Sequence, residues 1–210
     1  MAKIDNGYMG AFNGKLGPAV GYKWKGRSCL RALNLWPRNP RTRKQQAGRM
    51  VFGTTSSIAS GCRLVSRIGL RGLSSERKIS ETSVFISLNR QHVSYENGEV
   101  TVDYPSLQFS YGDLPSVAFG HPQVEGDRQI GVDISILPDC AGDLQDLVFI
   151  VAYSPGKGRA GLSRHSLRCE NHVSIRVDWQ LASSELHLYG FVWDKGSRAS
   201  NTTYLGSITL

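Results

Sequence analysis

The stretch VSYENGEVTVDY, residues 93–104, decides the fold class of this chain because the apolar period changes there. Ahead of it, apolar residues recur every three or four positions, which is typical of amphipathic helices. Within it and after it, apolar and polar residues alternate, and Asn97-Gly98 at its centre suits a two-residue hairpin turn because both residues tolerate positive φ. The sequence therefore predicts an α+β chain, with helices before this hairpin and strands after it.

Short β-rich runs separated by Gly, Pro, Asp and Asn turns follow the hairpin to the end of the sequence. The runs are PSVAFG, RQIGVDISIL, DLVFIVAYS, HVSIRVDW, ELHLYGFVW and TYLGSITL. Short strands spaced this regularly are typical of antiparallel sandwiches. We therefore expect an immunoglobulin-like or fibronectin-like β-sandwich domain over residues 112–210, joined to the preceding part by a linker near residues 104–115.

Two helices are predicted between the linker and the amino-terminal segment. Apolar residues at helical spacing indicate a long helix over residues 42–68, and a second, short helix is expected over residues 80–90. Whether the long helix is broken near Gly53 stays open, because each glycine weakens an isolated helix by about 1 kcal/mol relative to alanine.

The amino-terminal segment has the alternation of strands. Residues 16–33 are interpreted as a β-hairpin with an aromatic face, in which Tyr22 and Trp24 alternate with small or charged residues. Together with the two helices, this hairpin forms a predicted basic hairpin-and-helix region over residues 1–104.

The composition indicates a folded chain without a membrane span. An apolar fraction of 40% in 210 residues is enough to bury a core. No apolar run is long enough to cross a bilayer, and the first residues do not resemble a secretory signal, so we expect a cytoplasmic protein. The cysteines are far apart, which favours reduced thiols acting as small buried hydrophobic residues: Cys29, Cys62, Cys140 and Cys169.

Charge divides the sequence sharply. Residues 1–80 contain 16 lysines and arginines and two acidic residues, whereas residues 81–210 contain nine basic and 15 acidic residues. A basic front half of this kind predicts contact with a polyanion or with the acidic half of a neighbouring copy.

The candidate contact residues are cations with aromatic neighbours. The cations predicted to meet a partner or a polyanion are Lys23, Lys25, Arg27, Arg31, Arg38, Arg41, Arg43, Lys44, Arg49, Arg63, Arg67 and Arg71. The last three are spaced by four residues and would form one basic stripe on a helix. Tyr22, Trp24 and Trp36 are the predicted apolar anchors, and they could equally be platforms on which nucleic-acid bases stack.

The sequence contains no convincing pattern for metal binding. His165, Cys169 and His172 have an H-x3-C-x2-H spacing, with His187 and Cys140 as further candidates, but the short-spaced cysteine pair usual in zinc sites is missing. An ordinary strand with a buried cysteine explains this segment better.

Patterns for catalysis and nucleotide binding are equally weak. SPGKGRAG, residues 154–161, lacks the Ser or Thr of a P-loop and is interpreted as a hairpin tip. Ser163, His165 and Asp178 lack a nucleophile elbow, and Asp143 and Asp146 are expected in a solvated turn. We predict no catalytic residue, no metal, no cofactor and no small-molecule substrate.

Three quoted segments carry a resemblance to known sequences. GAFNGKLGPAVGYKWKG, NPRTRKQQ and LHLYGFVWDKGSRASNTTYLGSITL resemble an uncharacterised Bacteroidota family, a domain of unknown function. The NPRTRKQQ segment is also similar, more locally, to phage and prophage structural proteins. This second resemblance implies an assembly role.

The expected function is therefore a non-enzymatic structural or assembly protein, such as a phage or prophage virion component, that forms a homo-oligomer or larger assembly through its basic amino-terminal half. The alternative is a nucleic-acid-binding protein that uses the same half. An enzyme or a glycan-binding module is the third hypothesis.

Overall fold

The chain divides into two compact units at the start of the first helix. The computed structural model describes residues 3–4, 10–24, 27–36, 39, 41–137, 142–178 and 185–209. The units are Met1–Thr42 and Arg43–Leu210. The boundary predicted between residues 104 and 112 falls instead inside the second unit, because the helices share an apolar core with the strands that follow them.

The first unit is a four-stranded antiparallel sheet. Its strands, in both chain and sheet order, are β1 (Lys3–Ile4), β2 (Phe12–Leu16), β3 (Ala19–Trp24) and β4 (Arg27–Ala32). The predicted hairpin over residues 16–33 is confirmed as β3 and β4, whose register runs from Ala19 opposite Ala32 to Trp24 opposite Arg27. Strands β1 and β2 were not predicted.

The second unit begins with helices and continues with strands. The helices are α1 (Arg43–Gly61), α2 (Arg63–Gly69), α3 (Arg71–Arg77) and α4 (Glu81–Asn89). The strands are β5 (Val93–Glu96), β6 (Glu99–Val102), β7 (Ala118–Phe119), β8 (Gln123–Gly126), β9 (Gln129–Ser135), β10 (Leu147–Ser154), β11 (Arg159–Leu162), β12 (Ser166–Leu167), β13 (His172–Arg176), β14 (Glu185–Trp193) and β15 (Thr203–Thr209). Single 3-10 turns lie at Arg90–His92 and Tyr104–Ser106.

Two antiparallel sheets of the second unit share an apolar core. The larger has the order β11-β10-β14-β15, with β12 beside β10, and the smaller has the order β13-β9-β7, with β8 beside β9. Alternate residues of β10, such as Val148 and Ile150, pack against Ile130 and Val132 of β9. The predicted α+β class is thereby confirmed as helices combined with antiparallel sheets.

The helices cover the other face of the larger sheet. Phe149 and Val151 of β10 pack in a second buried cluster with Val65 of α2, Phe85 of α4 and Leu70 between α2 and α3. Because both faces of β10 and β14 are covered, their sequences are nearly continuous apolar runs rather than alternating ones.

The predicted long helix is correct at its start and wrong at its end. Helix α1 begins directly after Thr42 and continues through Gly53, which settles the question left open by the sequence. The helical path is interrupted at Cys62 (φ −105°, ψ 16°) and at Leu70 (φ −113°, ψ 7°). Both residues are buried in the cluster against the larger sheet, so the breaks occur where tertiary packing holds the chain.

The short helix and the central hairpin agree with the sequence. Helix α4 is capped by Ser80, whose Oγ accepts a hydrogen bond from the Ser83 amide at 3.2 Å. Strands β5 and β6 pair around Asn97 (φ 53°) and Gly98 (φ 94°), the positive angles that a two-residue hairpin requires.

The three described cysteines are free thiols, as predicted, but among them the predicted burial is confirmed for Cys62 alone. Cys62 is buried and burial raises the pKa of its thiol, but Cys29 is half-buried and Cys169 is exposed. Cys169 was expected to face a core, but β12 ends at Leu167 and the chain turns before it. Cys140 lies outside the described residues.

Among the described residues, no helix combines the length and the apolar character that crossing a lipid bilayer requires.

Candidate interaction surface

The pairing register divides the side chains of the first unit between two faces of its sheet. Residues directly opposite each other in an antiparallel pair point to the same face, and neighbours along a strand point to opposite faces. One set, here called the cationic-aromatic face, consists of Lys15, Val20, Tyr22, Trp24, Arg27, Cys29 and Arg31. The other set, here called the apolar face, contains Phe12, Leu16, Ala19, Leu30 and Ala32 together with Gly14, Gly21, Lys23 and Ser28.

Aromatic rings and cations are adjacent on the first of these faces. Trp24 is 58% exposed and lies directly opposite Arg27, while Tyr22, two residues earlier on the same strand, is 40% exposed. The first unit contains eight lysines and arginines and one aspartate, so it carries a net charge of +7 out of +8 for the whole chain.

The apolar face leaves large aliphatic side chains in solvent. Leu16 is 53% exposed and Leu30 is 64% exposed, and within residues 10–24 and 27–36 only Gly21 is buried. Gly21 is needed there because a Cβ would meet the ring of Phe12, with Cδ2 only 2.8 Å away. The Phe12 ring therefore lies over the backbone of β3, and no second apolar layer is formed within the described part of this unit.

A family model for a family of unknown function, DUF6266, matches residues 11–206. This chain belongs to the DUF6266 family. No curated protein and no solved structure matches it. The match spans both units and includes strands β2, β3 and β4 of the basic sheet. The resemblance to an uncharacterised family is thereby confirmed, whereas the Bacteroidota origin and the local phage likeness stay predictions.

The remaining cations predicted in the DUF6266 chain are dispersed. Lys25 and Arg38 lie outside the described residues. Lys23 lies on the apolar face, away from Arg27 and Arg31, because it is one residue out of phase with Tyr22 and Trp24. Trp36 and Arg41 are exposed, and neither belongs to a helix or a strand.

Two of the predicted cations lie at a cavity in the second unit. Arg43 and Lys44, in the first turn of α1, line a space of about 560 Å³ with Tyr95 and the Asn97-Gly98 turn. The structure thus brings these cations next to the central hairpin rather than to the helical arginines.

The helical arginines are exposed but do not form the single-helix stripe that their spacing predicted. Arg63 and Arg67 belong to α2 and Arg71 begins α3, on the other side of the break at Leu70. Arg49 is exposed on α1.

The metal candidates of the DUF6266 chain do not converge. Over the residues that the structure describes, no three His, Cys, Asp or Glu side chains are arranged to hold a metal ion. His172 Nδ1 lies 3.0 Å from Asp133 Oδ1, and His172 Nε2 lies 2.9 Å from Glu125 Oε1, so this histidine joins β13 to β9 and β8. These side chains tie neighbouring strands together at the surface.

His187, the other histidine considered for metal binding, is buried among aromatic rings. Its Nδ1 is 2.9 Å from the Tyr204 hydroxyl, and its ring stacks on Tyr104 with centroids 4.4 Å apart. The Tyr189 hydroxyl donates a hydrogen bond to the Tyr104 carbonyl at 2.8 Å. Burial lowers the pKa of His187 from its usual value, and nearby Glu185 opposes that shift only in part.

The neutral form of His187 should make the protein sensitive to acid. Because the folded state lowers this pKa below the unfolded value of 6.5, the unfolded state takes up a proton first as the pH falls through 6.5. Stability is therefore lost below that pH, with a slope from this group of at most about 1.4 kcal/mol per pH unit. We expect His187→Gln to reduce this slope in urea titrations at a series of pH values. The exposed His121→Gln control should keep it, and equal slopes for the wild type and His187→Gln would contradict the assignment.

The quoted SPGKGRAG and Ser163 motifs have structural roles. Residues 155–158 form the turn between β10 and β11, as the hairpin interpretation predicted, with Gly158 at φ 61°. The buried Ser163 accepts a hydrogen bond at Oγ from the Ile150 amide at 2.9 Å, which ties the loop after β11 to β10.

The carboxy-terminal motif holds the segment that follows the β5-β6 hairpin. Thr202 Oγ1 accepts hydrogen bonds from the amides of Phe109 at 2.9 Å and Ser110 at 2.8 Å. Asp194 Oδ1 accepts hydrogen bonds from the amides of Gly196 and Arg198 and so closes the DKGSR turn. Thr202 of the NTT triplet thus joins the loop before β15 to the loop that contains Phe109 and Ser110 through hydrogen bonds.

Sequence reasoning missed a buried ion pair. Asp146, expected in a solvated turn, is 5% exposed, and its Oδ2 lies 3.2 Å from Nη2 of the fully buried Arg168. Arg168 Nη2 also donates to the Pro115 carbonyl, and the Arg168 amide donates to the Asp146 carbonyl at 2.8 Å. An arginine followed by Cys169 and Glu170 has the pattern of a surface turn, so the sequence held no signal for this pairing.

Proposed function

We propose that this DUF6266 chain is a non-enzymatic assembly protein that self-associates through the apolar face of its amino-terminal sheet. The observation that carries the proposal is the exposure of Leu16 and Leu30 on a sheet whose strands β2, β3 and β4 contain a single buried residue, Gly21. Burying one leucine side chain stabilises an interface by about 1.5–3 kcal/mol, so covering this face is strongly favourable.

Sheet architecture supports the same proposal. A sheet normally buries one apolar face against a second layer, and small sheets without such a layer are marginally stable. Phe12, Leu16, Ala19 and Leu30 supply one half of such a layer. A second copy of the chain would supply the other half in a face-to-face contact between sheets, which is self-complementary under two-fold symmetry.

The charge distribution favours the apolar face as the contact between copies. That face carries one described cation, Lys23, whereas the cationic-aromatic face carries Lys15, Arg27 and Arg31. The first unit of each copy carries a net charge of +7, so the first units of two copies repel each other least when their cation-poor faces meet.

The proposal also assigns a role to the second unit. In this proposal the paired sheets of the second unit form an immunoglobulin-like or fibronectin-like body that is displayed by the amino-terminal contact. We propose a phage or prophage virion as the setting, on the resemblance predicted from NPRTRKQQ alone.

Replacing Leu30 with serine should weaken self-association at least tenfold, because each copy loses one apolar side chain from the interface. The measurement is the mass by light scattering over a concentration series, where the wild type should exceed the 23.1 kDa of a single chain. An apolar contact should persist at high salt, unlike a contact between opposite charges.

Leu64→Ser is the matched control, since Leu64 is 70% exposed but lies on α2 in the second unit. A wild-type chain that stays monomeric at every concentration would contradict the proposal. So would a loss of association that is equally large for Leu30→Ser and Leu64→Ser.

A further inference from the structure

The cationic-aromatic face presents its groups in three rows across β3 and β4. Trp24 is opposite Arg27, Tyr22 is opposite Cys29, and Val20 is opposite Arg31. Lys15 of β2 extends the last row on the other side of Val20. Arg27 therefore lies at one end of the face, beside Trp24, and Arg31 and Lys15 lie at the other end. Tyr22 lies in the row between these two ends.

The spacing of these rows suits an extended strand of nucleotides. Side chains on one face of a β-strand repeat about every 6.6 Å, so the rings of Tyr22 and Trp24 offer two successive stacking surfaces. Directly opposite side chains have Cβ atoms about 5 Å apart, which places the Arg27 guanidinium within reach of a phosphate beside a base on Trp24.

We infer that the cationic-aromatic face binds single-stranded nucleic acid, with bases stacked on Tyr22 and Trp24 and phosphates neutralised by Lys15, Arg27 and Arg31. Base stacking on aromatic side chains combined with a positively charged track is the usual way in which proteins hold single strands without sequence preference. This inference does not depend on the proposed self-association, which uses the opposite face of the sheet.

A duplex fits this face less well than a single strand. The bases of a duplex are already stacked and paired, so their flat surfaces are closed to exposed rings. A duplex would therefore gain only the contacts between cations and phosphates, and the rings would contribute little.

The test measures fluorescence anisotropy of labelled oligothymidine and oligouridine on the full chain, with a duplex of equal length and inorganic polyphosphate as competitors. We expect both single strands to bind, both more tightly than the duplex, and polyphosphate to compete weakly. With three phosphates neutralised, the logarithm of the binding constant should fall with the logarithm of salt concentration with a slope of about −2.

The variants separate stacking from charge. Trp24→Leu should weaken binding about tenfold or more, and Trp24→Phe should restore most of it because a ring is present again. Arg27→Gln should weaken binding and reduce the magnitude of the salt slope by about 0.7. Lys23→Gln is the matched control: it removes one positive charge from the neighbouring strand β3, on the apolar face, and should leave both quantities nearly unchanged.

Four results would overturn the inference: no binding of either single strand at low salt, tighter binding of the duplex, full affinity in Trp24→Leu, or equal losses in Arg27→Gln and Lys23→Gln. Tyr22→Leu replaces Trp24→Leu if the latter fails to fold as judged by circular dichroism. Light scattering on the same samples reports self-association separately, so failure of one proposal is distinguishable from failure of the other.

Discussion

Replacing Arg168 with methionine is expected to lower the free energy of unfolding by about 3–5 kcal/mol, the usual cost of removing one partner from a buried ion pair. The side chains of Arg168 and Asp146 are 0% and 6% exposed, so the carboxylate left behind would have little access to water. The Pro115 carbonyl would also lose its hydrogen-bond donor. Urea denaturation of the variant and the wild type at one pH measures the loss.

The loss should grow as the pH rises. Burial raises the pKa of Asp146, and the Arg168 guanidinium opposes that shift. Without Arg168 the folded state favours the protonated carboxyl still more strongly, so stability from this group is present at low pH and is lost as the pH rises through the folded pKa.

Two further variants isolate the ion pair. Arg164→Met removes an exposed arginine four residues earlier and should change stability by no more than about 0.5 kcal/mol. Arg168→Met combined with Asp146→Val should recover most of the loss, because replacing both charges leaves no buried ion. Within the described chain Arg168 Nε and Nη1 have no hydrogen-bond partner, so the native ion pair leaves buried donors unsatisfied. An apolar pair of side chains therefore has fewer favourable interactions to replace. A single variant as stable as Arg164→Met would contradict the assigned role.

The sequence alone predicts an element when its conformation depends on its own residues or when both of its faces are equally buried. The Asn97-Gly98 turn was predictable because positive φ depends on the two residues themselves. Strands β10 and β14 were predictable because burial on both faces leaves a continuous apolar run.

Features that depend on distant residues were not predictable. The helix breaks at Cys62 and Leu70 carry no proline, and they arise where these residues pack into the shared core. Arg168 is buried because Asp146, 22 positions earlier, lies opposite it, and spacing along the sequence does not report such a pairing. These cases are tertiary effects that override local pattern.

The candidate surface was half predictable. Charge and aromatic character predict Tyr22, Trp24, Arg27 and Arg31 as contact residues, and the register places all of them on one face. The separation of Lys23 from them follows from strand alternation, yet charge composition alone grouped it with the others. The apolar face was missed because β2, with the sequence FNGKL, contains a glycine and a lysine and has a weak strand pattern.

Replacing Gly61 with alanine should destabilise the protein by about 1–3 kcal/mol, although alanine is the better helix former. A Cβ at Gly61 would collide with the carbonyl oxygen of Gly158 and lie 2.8 Å from its carbonyl carbon. Gly158 cannot retreat easily, because its amide donates to the Ser154 carbonyl at 2.9 Å and its backbone is left-handed. The end of α1 would therefore have to move away from the β10-β11 turn.

Gly53→Ala is the matched control in the same helix. A Cβ at Gly53 meets nothing within 4 Å, so helix propensity alone acts there and should stabilise the protein by about 1 kcal/mol. Opposite signs in urea denaturation are the expected outcome, and stabilisation by both variants would show that the contact at Gly158 yields without cost. Opposite signs would show that the close approach of α1 to the SPGKGRAG turn requires the missing side chain at Gly61. Gly158 has a different role, because a Cβ there would meet nothing within 4 Å and its positive φ of 61° is what favours glycine.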